Sequence, residues 1–188
     1  MGEKNSNVEE KRIFQNPKTI KVATTGIFIA VGLILSYLNP FAYLEIAGAK
    51  INPFAHVINA ITGVLIGLVF SVVTALGIAI LRFSLGIGTI HAFHGGMAGA
   101  LVVGAMAYFL RRKFPKFVEF AALIEPLGTV FIGGTIAQLI LPMVDASAIE
   151  GFLIYWGLFA VSSIPGALIG YVILSFLEKA GITWKDFD

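Results

Sequence analysis

Long apolar runs, separated by short polar clusters, set the organisation of this chain. Met1 to Lys18 is polar; Thr19 to Leu38 is apolar for about the 20 residues that a membrane helix needs, and Asn39-Pro40 stops it. Phe41 to Ile51 reads as a loop carrying Glu45 and Lys50. Pro53 to Leu81 then holds no formal charge. As a single helix that stretch would be about 43 Å long, too long for a hydrocarbon core of about 30 Å without strong tilt. Apolar runs follow at Ala92–Leu110, Phe117–Leu141 and Ala148–Leu177, the last interrupted by Pro165-Gly166.

Charge placement resolves the long stretch. The basic cluster Arg111, Arg112, Lys113 and Lys116 is expected on the cytoplasmic side together with the basic N-terminal segment, which requires an even number of crossings before Arg111. Pro53–Leu81 must therefore cross twice, turning near Gly67. All of the 13 Lys and Arg residues except Lys50 and Arg82 then fall inside, including Lys179 and Lys185, which play no part in choosing the arrangement. The fold class is an all-α integral membrane protein, a six-transmembrane-helix bundle with both termini cytoplasmic. Residues 1–18 form a polar cytoplasmic segment, 19–178 a single membrane domain and 179–188 a short cytoplasmic tail.

Composition agrees: 57% of residues are hydrophobic, only 13% are charged, and the mean hydropathy is +0.90, which leaves little for a solvated surface. The polar opening is too long for the n-region of a signal peptide and no small-residue cleavage site follows it, so the first run is expected to be a retained helix. The absence of cysteine excludes disulfides, thiolate metal sites and cysteine nucleophiles.

The polar residues that interrupt the apolar runs carry the candidate chemistry, since such residues are costly in a bilayer and mark functional sites by default. Leu81–Met97, reading L-R-F-S-L-G-I-G-T-I-H-A-F-H-G-G-M, is the densest such stretch. On the six-helix topology Glu45, Asn52, His56, Arg82, Thr89, His91, His94, Asp145 and Glu150 all lie at or near the outer face. Asn52, His56 and Asn59 share one helical stripe, and Glu125 and Thr129 share another. These residues either bond one another as interhelical glue or line a wet cavity. Phe83, Phe93, Tyr155 and Trp156 are candidate apolar walls, and Gly86 and Gly88 allow a turn. Gly95 and Gly99 allow close helix packing. Arg82 is expected to neutralise Glu125 or Glu45. In the first helix, Gly26 and Ala30, with Val22 one turn earlier, make a flat face that either packs inside the protein or docks onto a membrane partner.

Other classes find less support. His91 and His94, with His56, are of a type that binds zinc, nickel or copper, but no thiol or second carboxylate stands beside them. Neutral histidines around an organic ligand fit better. There is no H-E-x-x-H, G-x-S-x-G or G-x-x-x-x-G-K-[ST] motif, hence no sign of an enzyme and no P-loop for ATP. Inverted repeats or paired broken helices are not seen either.

The runs G-A-K-I-N-P-F-A-H-V-I-N-A (Gly48–Ala60), L-R-F-S-L-G-I-G-T (Leu81–Thr89), A-F-H-G-G-M-A-G-A (Ala92–Ala100) and E-P-L-G-T (Glu125–Thr129) resemble ThiW, a substrate-binding S component of energy-coupling-factor (ECF) vitamin transporters. The resemblance covers roughly Thr19 to Leu177. It implies a multi-pass protein of the cell membrane that captures a small thiamine precursor, hydroxyethylthiazole, with no cofactor, no resident metal and no nucleic acid. It also implies that Gly26 and Ala30 dock onto a transmembrane coupling (T) protein while two cytoplasmic ATPases drive uptake. The substrate-binding set would be Asn52, His56, Asn59, Arg82, Thr89, His91, His94, Glu125 and Thr129. A donor to the thiazole nitrogen would come from Asn59, His56, His91 or Thr129, and Glu125 would accept from the hydroxyl. Another vitamin such as thiamine, or a His-based metal-handling role, is the alternative. The chain departs from the family pattern at Gly67-Leu68, where a Gly-Pro turn is expected, and at His94, where proline is more usual.

Overall fold

A computed structural model describes residues 16–46, 48–144 and 151–188; the N-terminal segment through Gln15, together with Asp145 and Glu150, lies outside the described residues. The helices are α1 (Pro17–Tyr37), α2 (Pro53–Leu65), α3 (Leu68–Ser84), α4 (His91–Lys113), α5 (115–144, of mixed winding) and α6 (Phe152–Lys179). A short turn of helix, Trp184–Phe187, follows. Among the described residues, four stretches are long and apolar enough to cross a membrane: Pro17–Tyr37, His91–Lys113, Pro115–Ile140 and Phe152–Lys179. Large apolar side chains such as Val22, Ile27, Val69, Leu139 and Leu153 stand exposed on the outside, as lipid-facing residues do. The architecture is that of an all-α membrane protein. The α1–α2 connection contains one departure from a plain loop: a minimal antiparallel pair, β1 (Glu45–Ile46) and β2 (Ala49–Lys50), with Glu45 opposite Lys50.

α1 starts where the Asn16 side chain accepts from the Lys18 amide at 3.0 Å and Pro17 takes the first helical position, where its missing N–H costs nothing. Its inward stripe is Thr25, Gly32 and Ser36. At Gly32 a side chain would overlap Ile78 of α3, and at Gly77 one would overlap Ile29 of α1, so these two glycines set how closely α1 and α3 approach.

α2 is the centre of the bundle. Every residue from Pro53 to Leu65 except Phe54 is buried, and α4 and α6 pack against it. Gly67, at φ +84°, makes the turn into α3 where charge parity places one, in a conformation that disfavours other residues. Arg111, in the last turn of α4, completes that corner. Its Nη2 donates to the carbonyls of Val64 (2.7 Å) and Leu65 (3.1 Å), satisfying acceptors left open at the end of α2. Its Nη1 pairs with Asp188 at 3.0 Å, and Asp188 also meets Lys21 at 2.6 Å. The basic end of α4 is thus tied to α1, α2 and the C-terminal turn.

α5 is not the uniform helix that its apolar run suggests. It is wound tightly, with i→i+3 bonding, over Pro115–Ile124, widens to π winding over Leu127–Gly133 and continues as α-helix over Gly134–Val144. The change falls at Glu125-Pro126, where proline withholds a backbone donor. A side chain at Gly128 would overlap the Ala98 carbonyl and one at Gly133 would crowd Gly95, so α5 lies backbone-to-backbone on α4.

α6 corrects a further expectation: the helix continues through Pro165 without a break. The proline is exposed and its neighbour Gly166 is buried, where a side chain would overlap the Pro53 carbonyl and His56. Neighbouring helices commonly compensate such a proline in a membrane, and here Gly166 brings α6 against the start of α2.

Candidate ligand-binding site

The N-terminus of α2, the last turns of α3, the start of α4 and the middle of α6 meet at one end of the bundle. That is the end opposite Arg111, Arg112 and Lys113. They line a cleft whose empty space, its open mouth included, is about 670 Å³. Six of the nine candidate residues line it: Asn52, His56, Asn59, Arg82, Thr89 and His91. The other three, His94, Glu125 and Thr129, touch members of that set from behind.

Asn52 anchors the rim. Its side chain caps α2 by accepting from the Ala55 amide (3.4 Å) and donates to Ser36 of α1 (2.8 Å), while its own amide donates to Ser162 of α6 (3.0 Å). One residue therefore joins three helices. One and two turns further along the same stripe, His56 and Asn59 reach Glu125, whose side chain is fully buried. Glu125 Oε1 sits 2.8 Å from His56 Nδ1 and accepts from Asn59 Nδ2 (3.1 Å) and Thr129 Oγ1 (2.8 Å). Asn59 Nδ2 also donates to the Gly96 carbonyl at 2.9 Å. These contacts decide what each residue can offer a ligand. Both amide hydrogens of Asn59 are committed, and the single hydroxyl hydrogen of Thr129 is shared between Glu125 and the Gly95 carbonyl (3.2 Å). With Nδ1 on the carboxylate, His56 has Nε2 left for a ligand.

Gly99 explains how a carboxylate fits at this depth. A Cβ there would fall on Glu125 Oε1 and Thr129 Oγ1, so the glycine supplies the space that the polar knot occupies. Gly95, one turn earlier, does the same for the ring of Phe159. The close packing expected of this pair is therefore directed at one carboxylate and one aromatic ring.

His91 and His94 bond each other, Nδ1 to Nε2 at 3.0 Å, and His94 stacks on Phe159 with ring centroids 5.8 Å apart. His91 also lies 5.5 Å from Tyr155, which is fully buried. Among the described residues, no three His, Asp or Glu side chains gather as a metal-binding group. Of the aromatic candidates, Phe83 and Phe93 contact each other at 5.7 Å, and Trp156 packs on Phe131 and donates to Thr135. Phe159 is the aromatic wall of the cavity.

Arg82 departs from expectation. It is 6% exposed and lines the cavity, yet pairs with neither Glu125 nor Glu45. The ion pairs among the described residues are Lys21–Asp188, His56–Glu125 and Arg111–Asp188. The turn after α3 wraps the backbone of Arg82: the amides of Ile87 and Gly88 both donate to its carbonyl, and Gly86 takes φ +70°. Gly88 lies so close that a Cβ there would crowd the Arg82 side chain. The turn is fastened to the α1–α2 hairpin, where Lys50 Nζ donates to the Gly86 carbonyl at 3.1 Å.

Lys50, Ser36, Ser162 and Phe159 are members of the site that the sequence pattern does not single out. Single serines within apolar helices carry no distinguishing signal. For Lys50 a signal exists, since the charge count expects it to be one of two basic residues on the outer side. The face Val22, Gly26 and Ala30 lies elsewhere, on the outside of α1; all three are exposed, and nothing stands within 4 Å of a Cβ placed on Gly26. Packing among the described residues does not use that face.

The sequence model of the family of thiamine-precursor transporter proteins, ThiW, matches residues 22–180. No curated protein and no solved structure matches the chain.

Proposed function

The chain belongs to the thiamine-precursor transporter family ThiW, and from that premise we propose that it is the substrate-binding S component of an ECF-type importer. It captures a small thiamine-related heterocycle, hydroxyethylthiazole, from outside the cell membrane. Separate partners, a transmembrane coupling protein and two cytoplasmic ATPases, power the uptake. The observation that carries this reading is the cavity opposite the basic end of α4, lined by Asn52, His56, Asn59, Arg82, Thr89 and His91 and backed by the buried carboxylate of Glu125.

In this reading all six helices cross the membrane and both termini are cytoplasmic, so the cavity faces outward. α2 and α3, of 13 and 17 residues, are about 20 and 26 Å long. α2 falls short of the full hydrocarbon thickness, and its burial among the other helices makes that tolerable. A topology test is direct because the chain has no native cysteine. Lys113→Cys is expected to react with a membrane-impermeant maleimide only in inside-out vesicles; labelling of intact cells would invert the arrangement.

The chemistry suits a thiazole alcohol. The ring stacks on Phe159, and His56 Nε2, His91 and Thr89 supply directed polar contacts for the ring nitrogen and the hydroxyl. Asn59, Thr129 and Glu125 hold His56 in place. Thiamine is a permanent cation, and the guanidinium of Arg82, which has no countercharge among the described residues, disfavours it. Calorimetry on purified, ligand-free protein is expected to give saturable binding of hydroxyethylthiazole, with thiamine weaker by at least about tenfold, or 1.4 kcal/mol. A preference for thiamine, or no thiazole binding, would overturn the substrate assignment.

A further inference from the structure

Arg82 is the one charged group lining the cavity that is both buried and without a countercharge among the described residues. It is 6% exposed, its Nε has no acceptor, and it takes part in none of the ion pairs. Neither Glu125 nor Glu45 pairs with it. Glu125 receives His56, Asn59 and Thr129 on one oxygen, and Glu45 sits on the exposed hairpin opposite Lys50. Lys50 also lines the cavity and is held by the Gly86 carbonyl at the turn that follows Arg82. Two cations thus stand on the α3 and hairpin side, while the buried carboxylate of Glu125 lies behind α2 with its donors on Oε1.

A neutral alcohol does not compensate a buried guanidinium. An oxyanion does, because the planar fork of arginine matches a carboxylate or phosphate with two parallel charge-assisted hydrogen bonds. We propose that Arg82, with Lys50 at the mouth, forms an oxyanion subsite, and that the ligand class of this cavity is a small heterocycle bearing a phosphate monoester or carboxylate, bound more tightly than the corresponding neutral alcohol. The ring lies on the His56 and Phe159 side, and the oxyanion faces Arg82. This rests on the cavity being the capture site.

The test uses the full chain in lipid nanodiscs and three probes: 4-methyl-5-(2-hydroxyethyl)thiazole, its phosphate monoester, and the thiazole acetate in which a carboxylate replaces the alcohol. At least one oxyanion is expected to bind more tightly than the alcohol by about tenfold, the scale of one charge-assisted hydrogen bond. Which of the two gains more tells phosphate from carboxylate. In Arg82→Gln the ratio of oxyanion to alcohol affinity is expected to collapse to about one, and Arg82→Lys to recover part of it. As a measurement independent of the organic ring, inorganic phosphate is expected to raise the melting temperature of the native chain but not that of Arg82→Gln. That arm stands even where the variant is less stable, because each protein is compared with itself. Equal affinities for alcohol and oxyanions in the native chain, or a preference that survives Arg82→Gln, would overturn the subsite while leaving the thiazole capture site intact. No binding of any probe would overturn both.

Discussion

Glu125→Ala is expected to lower the stability of the bundle by about 3 kcal/mol and to abolish ligand capture. Truncating a buried carboxylate removes the acceptor of three donors at once: His56 Nδ1, Asn59 Nδ2 and Thr129 Oγ1. The losses are unequal. Asn59 keeps the Gly96 carbonyl and Thr129 keeps the Gly95 carbonyl, whereas His56 retains only a long contact of 3.5 Å to Thr129. Most of the cost therefore falls on His56, the residue that faces the cavity. A drop of about 10 °C in melting temperature is the corresponding scale for a chain of this size. Glu125→Gln keeps the volume and one carbonyl acceptor, so its loss of stability is expected to be about a third as large. Thermal unfolding in detergent, followed by ligand titration of the surviving fold, checks both. Unchanged stability together with unchanged affinity in Glu125→Ala would mean that the knot neither holds the bundle nor positions His56.

That knot also marks how far the sequence can be read. Asn52, His56 and Asn59 recur at helical spacing in an otherwise apolar stretch, and Glu125 and Thr129 do the same, so both stripes are legible in the order of residues alone. The turn at Gly67 is legible for a different reason. Hydropathy alone gives one long run, but the parity of charge sides calls for a break within it, and Gly67 adopts the conformation such a turn needs.

Which stripe meets which is not legible in this way. Charge alone points Arg82 towards Glu125 or Glu45. Its place at the end of α3, against the turn closed by Gly86 and Gly88, puts it instead on the cavity wall, away from the carboxylate behind α2. Partner choice depends on helix order and rotation, and no residue type encodes these locally. Gly99 illustrates the same limit. Its spacing from Gly95 signals close packing, but not that the approaching group is a carboxylate. The mixed winding of α5 is equally hidden, because hydropathy reports burial and not the number of residues per turn.

Bulky residues on the outer face of α1, Gly26→Leu or Ala30→Leu, are expected to reduce uptake by at least about tenfold while leaving ligand affinity unchanged, because small residues four apart are what allow a second helix to approach closely in lipid. α1 presents two distinct faces. Thr25, Gly32 and Ser36 turn inward, where Gly32 meets Ile78 and Ser36 receives the side-chain amide of Asn52. Val22, Gly26 and Ala30 turn outward and stand exposed. A side chain added at Gly26 meets no neighbour within 4 Å, so the bundle and its cavity should tolerate the change. What changes is the outer contour of the helix, from a shallow groove to a ridge, and that contour matters only to something docking from the membrane. Whole-cell uptake of labelled thiazole, paired with calorimetry on the same purified variants, separates the possibilities. Loss of uptake with intact affinity assigns the face to a partner. Intact uptake would assign it to lipid, and parallel loss of affinity would show that the outer face of α1 is coupled to the cavity through the Ser36–Asn52 contact.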